Sequence, residues 1–156
     1  MHTRTVLFLA AFSGGTGAAS PVAGNDDSPA AARAAADAIV ANDNQTPGGT
    51  LRDGVLTLHL EVRPGALYPE EDNGPSVPTL AFAEVGGPLR VPGPLIRVPR
   101  GTEIRVSVRN PFADSTLTVH GVQDHDGKDS GPLVIPSGQT REARFRANAE
   151  GTYYYW

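Results

Sequence analysis

Gly101-Thr102-Glu103-Ile104-Arg105-Val106-Ser107-Val108-Arg109-Asn110 is the stretch on which the fold turns. Ile104, Val106 and Val108 alternate with Arg105, Ser107 and Arg109. Successive strand residues face opposite ways, so this period predicts a strand with one apolar and one solvated face. Pro99-Arg100-Gly101 turns into it and Asn110-Pro111 ends it.

Working upstream, Pro92-Gly93-Pro94 is a rigid turn before a short strand, Leu95-Ile96-Arg97-Val98. Thr79 to Glu84 predicts another. The segment from Arg63 to Val77, with Pro64, Gly65, Pro69, Gly74 and Pro75, reads as a long loop carrying Glu70, Glu71 and Asp72. Before it, Leu56, Leu58, Leu60 and Val62 share one face of a half-buried strand, with Thr57, His59 and Glu61 on the other. Downstream, strands are expected at Thr116 to His120, Gly131 to Ile135, Thr140 to Ala147 and Thr152 to Trp156. Short strands separated by turn signals define an all-β Greek-key sandwich or barrel. No strand alternates with a long helix, which argues against a parallel α/β sheet.

The N-terminal third reads differently. Residues 1–19 have the anatomy of an export signal: His2 and Arg4, an apolar run from Val6 to Phe12, then Gly17-Ala18-Ala19. The alternative is a disordered N-terminus, or a start codon assigned too far upstream. The apolar run is too short to span a bilayer, and no cysteine follows it to take a lipid. Residues 20–49 read as a linker holding either a short helix or a tail. Ser28 is a suitable N-cap, Pro29 fits the first helical position, and Ala30 to Val40 is alanine-rich. The domain proper is expected over 50–156.

Composition narrows the chemistry. The 156 residues carry a formal charge of −4, which argues against nucleic-acid and anionic-membrane partners. There is no cysteine, which excludes a disulfide framework, a thiol nucleophile and a Cys-ligated zinc or iron–sulfur site. It also excludes a blue-copper centre, whose metal needs a thiolate beside two imidazoles. Asp124-His125-Asp126-Gly127-Lys128-Asp129 has a hint of calcium-loop composition but lacks the ligand order and the closing glutamate. An Asx-rich turn is the better reading. No phosphate-binding glycine loop and no nucleophile elbow occur.

Five segments, in order, resemble the amino-terminal plastocyanin-like (cupredoxin) domain of the multicopper oxidases, the laccase-like family. Val91-Pro92-Gly93-Pro94-Leu95-Ile96-Arg97-Val98 is similar to the family's PGP strand, and Gly101 to Asn110 to its GDxxxVxVxN segment. Ser115-Thr116-Leu117-Thr118-Val119-His120-Gly121 stands where the family has His-Trp-His-Gly. Pro136-Ser137-Gly138-Gln139-Thr140 with Arg144-Phe145-Arg146 is similar to PGxxxxYxF, and Gly151-Thr152-Tyr153-Tyr154-Tyr155-Trp156 to GTxWYHSH.

The resemblance implies a cupredoxin-like sandwich and, in an intact parent, copper-dependent oxidation of small substrates with oxygen. It also implies further cupredoxin domains as partners, from the same parent or a neighbouring subunit, and export to the periplasm or beyond. Family coppers are held by His-x-His pairs, because alternate strand residues face the same way and imidazole suits copper. Here Thr118 stands for the first histidine of one pair and only His120 remains. Trp156 stands for the first histidine of the other, and the resemblance implies further sequence after it. His120 is therefore the candidate copper ligand, with His125, five residues on, as a weaker second. A catalytic group is not expected in this chain, and the domain alone is not expected to be an oxidase. The alternative is an exported, metal-free sandwich that presents the loops at Pro64 to Val77 and Asp124 to Gly131 to a partner.

Overall fold

A computed structural model describes residues 37–70, 74–124 and 131–156, together with the backbone pairing of 5–10. The described residues form an all-β sandwich with no helix. Its strands are β1 (Thr5–Ala10), β2 (Asp37–Ala38), β3 (Val40–Ala41), β4 (Thr50–Arg52), β5 (Val55–Leu67), β6 (Val77–Glu84) and β7 (Arg90–Val91). They continue as β8 (Ile96–Pro99), β9 (Glu103–Arg109), β10 (Leu117–Val119), β11 (Leu133–Ile135), β12 (Thr140–Arg146) and β13 (Gly151–Tyr155).

The larger sheet runs β12-β9-β5-β6-β7-β3, with β2 and β4 also paired to β5. The second layer is assembled from the three-stranded order β13-β1-β8 and the hairpin β10-β11. Reciprocal backbone hydrogen bonds between His120 and Trp156 join that hairpin to β13, at 2.9 and 3.3 Å.

The alternation seen in the sequence sets the layers. Leu56, Leu58, Leu60 and Val62 of β5 and Ile104, Val106 and Val108 of β9 are buried. Across from them lie Ile96 and Val98 of β8, Val119, Ile135 and Tyr155, in one continuous core. Each such side chain, fully buried, contributes roughly 1.5–3 kcal/mol. The outer face of the larger sheet is a charged lattice: Arg105 bonds Glu103 at 2.7 Å, Arg146 pairs with Glu103 at 3.7 Å, and Arg144 pairs with Glu142. The hydrogen bond from Arg105 holds the Glu103 carboxyl below its ordinary range.

Two expectations are corrected. The chain does not leave the sheet at Arg63: β5 continues through Pro64 and Gly65 to Leu67. Both residues are poor strand formers. Pairing with β6 nevertheless holds Pro64 opposite Leu80 and Gly65 opposite Thr79. Gly65 is required there, because a Cβ would lie 2.7 Å from Ile39 and 2.6 Å from Leu89. Residues 37–40, the end of the expected alanine-rich helix, are extended with Ala41, pairing with β5 and β7. A short alanine-rich helix is marginal in water, and burial of Ile39 with Ala81, Ala83 and Leu89 outweighs it. Residues 30–36 of that helix lie outside the described residues.

Tyr155 is the largest fully buried side chain. Its hydroxyl donates to the Pro94 carbonyl oxygen at 2.6 Å, and its ring meets Phe82 edge-on at 5.0 Å. Burial pushes its phenol far above the usual range, with the charge of Glu84 adding to the shift. A group with a raised folded pKa gives stability that is complete below its unfolded value, about 10, and is lost as the pH rises past it. Unfolding free energy should therefore fall by about 1.4 kcal/mol per pH unit above that point from this group. Tyr155→Phe should remove that slope and cost about 1 kcal/mol at neutral pH. Urea melts of both proteins between neutral and alkaline pH read the difference.

Candidate functional site

The candidate site lies where the ends of β10 and β13 meet. In β10, Val119 points into the core, so Thr118 and His120 point away from it. Thr118 is exposed opposite Val134 of β11, and His120, one residue past the strand, is half-buried. On β13, Tyr155 faces the core, while Tyr154 and Trp156 face outward at 55% and 46% exposure. The His120 and Trp156 rings are stacked, with centroids 5.1 Å apart and planes 8° from parallel.

Beside the stack is an open cleft of about 550 Å³, lined by residues that include His120, Gly121, Gln123, Pro132, Tyr154 and Trp156. Gly121 allows the two strands to come this close. It has a φ of +80°, and a Cβ there would lie 1.9 Å from the Tyr154 carbonyl oxygen. From the opposite side, Asn110 fixes the base of β10. Its Nδ2 donates to the carbonyl oxygens of Ser115 and Ile135 at 2.7 and 2.9 Å, and its Oδ1 accepts from the Phe112 N–H at 3.0 Å.

His120 thus sits where the sequence predicts, at the strand end with Thr118 on its face. His59 is elsewhere. It is exposed on the larger sheet, its Nδ1 2.6 Å from Ser107 Oγ. His125 lies outside the described residues, as do Glu71 and Asp72.

The donors among the described residues at this end do not suit copper. Among the described residues no three His, Cys, Asp or Glu side chains come together as a metal site. At this end His120 supplies one imidazole, its neighbours across the face are a threonine and an indole, and one ring face is covered by Trp156. Neither Thr nor Trp offers a donor of the imidazole or thiolate kind that copper selects.

Two features were not foreseen from sequence: the His120–Trp156 stack and the Asn110 clamp. The second had a signal, since an asparagine two residues before a bonded N–H is an Asx-turn. The stack had none, because it joins residues 36 positions apart.

The sandwich and the order of its strands are those expected of a cupredoxin-like fold. Residues 85–156, a little under half of the chain, match the family model described as "Multicopper oxidase". The chain is similar to "Multicopper oxidase MmcO" of Mycobacterium tuberculosis (strain ATCC 25618 / H37Rv), with 38% identity over 85 residues. That alignment covers 52% of this chain and 16% of the relative, so the likeness spans a small part of a longer protein. No solved structure matches the chain. Among the described residues no helix is long and apolar enough to cross a membrane.

Proposed function

We propose that this chain serves as the N-terminal cupredoxin domain of an exported multicopper-oxidase-like protein, docking against further cupredoxin domains and not oxidising substrate by itself. The family implies copper in the intact protein. On this reading the metal is held by other domains, and His120 is the one imidazole among the described residues at that end. The observation that carries the reading is the open end of the sandwich. His120, Trp156 and Tyr154 there present an aromatic rim, on the segments that resemble the family's His-x-His strands. Aromatic side chains exposed together around a cleft are the composition of a contact surface rather than of a solvated one.

A copper titration followed by electron paramagnetic resonance tests it. The isolated chain is expected to take up no tight equivalent. One tight equivalent that disappears in His120→Ala would give the domain its own metal site and overturn the docking role. The parent is tested by reading the coding frame past the Trp156 codon. A following domain with His-Cys-His and further His-x-His pairs supports it. An immediate stop would leave a solitary sandwich, the metal-free binding module, as the better account.

A further inference from the structure

The second layer of the sandwich is joined by one strand. β1 pairs antiparallel with β8, Val6 opposite Val98 and Phe8 opposite Ile96. Its other edge pairs parallel with β13, Val6 opposite Gly151 through Ala10 opposite Tyr155. Among the described residues β8 and β13 are not paired to each other. They are therefore separated by two strand spacings, about 9.5 Å. On its far side β13 is already bonded to His120, so the edge turned toward β8 is the one β1 satisfies. Every backbone N–H and C=O on these two facing edges needs a partner.

Thr5–Ala10 also lies within the segment read as an export signal. Were that segment removed, β1 would go with it, and the edges of β8 and β13 that β1 now pairs, over the core residues Ile96, Val98 and Tyr155, would lose that partner.

We propose that the channel between β8 and β13 is a strand-acceptor site. Its ligand is an extended segment of a partner polypeptide with apolar residues at alternate positions. Thr5–Ala10 fills the site while it is attached, and the partner segment fills it afterwards. Main-chain hydrogen bonds to both edges supply affinity, as in other strand-addition complexes. Specificity comes from the rows. Ligand residues opposite Ile96, Val98 and Tyr155 share the core face and must be apolar. The intervening ones border Arg97, Thr152 and Tyr154, where polar or aromatic residues fit.

The test uses the full chain, folded first, with a protease site placed across residues 17–19 and then cut. A fluorescent synthetic peptide of residues 3–12 is added, and its anisotropy is followed with amide exchange at Arg97, Val98 and Thr152 to Tyr155. One equivalent should enter as the original segment leaves, and those amides should be protected only while a strand is bound. A peptide with Leu7→Pro, which lacks a ladder N–H, should fail to enter. If loss of the segment unfolds the chain, refolding is the readout, and recovery of the β signal with excess peptide supports the site. The idea is overturned if the cut chain keeps β8 and β13 protected and takes up no peptide. It is equally overturned if peptide does not restore folding.

Discussion

Asn110→Asp should destabilise the domain by about 3 kcal/mol or more at neutral pH, and by more than Asn110→Ala. The asparagine is fully buried and all its side-chain bonds are directional. Nδ2 donates to the carbonyl oxygens of Ser115 and Ile135, and Oδ1 accepts from Phe112 N–H. These bonds tie the end of β9, in one layer, to β11 and the approach to β10 in the other. Alanine removes them and leaves the buried Ile135 carbonyl, with the part-buried Ser115 carbonyl and Phe112 N–H, to find new partners, a loss of about 1–3 kcal/mol for each group that finds none. Aspartate keeps the shape but aims an oxygen at two carbonyl oxygens. Burial and that repulsion must raise its pKa above the ordinary value near 3.9. With a raised folded pKa, the variant is relatively most stable below about pH 4 and loses ground as the pH rises. Urea unfolding at acid and neutral pH checks the sign. A deficit that does not grow from acid to neutral pH would show that position 110 is not the closed polar site described.

Gly121→Ala should cost about 3 kcal/mol or more and should free Trp156. Two effects add. A φ of +80° is strained for any residue with a Cβ, a cost of about 1–3 kcal/mol. The new methyl would also sit 1.9 Å from the Tyr154 carbonyl oxygen, with 2.9 Å to Tyr155 Cα. Backbone cannot swing aside as a side chain can, so β13 must move from His120. Trp156 is the only tryptophan of the chain, so its emission reports this movement directly. A shift to longer wavelength together with a lower urea midpoint is expected. Unchanged emission and stability would mean that the two strands do not cross as closely as the structure has them.

Much of the fold was legible because it depends on period two. The alternation at Leu56 to Val62 and Ile104 to Val108 placed the buried faces correctly, and the motif order resembles that of the family whose model matches residues 85–156. The candidate site was legible in part. His120 could be found because strand periodicity and the family's segment both point to its position. The polar clamp was half visible, as an asparagine ending a strand. Where single-residue propensity was the guide, at Pro64-Gly65 and Ala30 to Val40, pairing partners far along the chain decided the outcome instead.

The sequence by itself determined the all-β class, the inward faces of the strands and the absence of any thiolate for a blue-copper centre. Those follow from residue type and local period. Tertiary structure alone decided that Trp156 covers His120, that Tyr155 bonds to the Pro94 turn, that Asn110 joins the two layers, and that one strand holds β8 and β13 together. Each of these is a contact between segments distant in the chain, and its geometry exists only when both sheets have closed on the shared core.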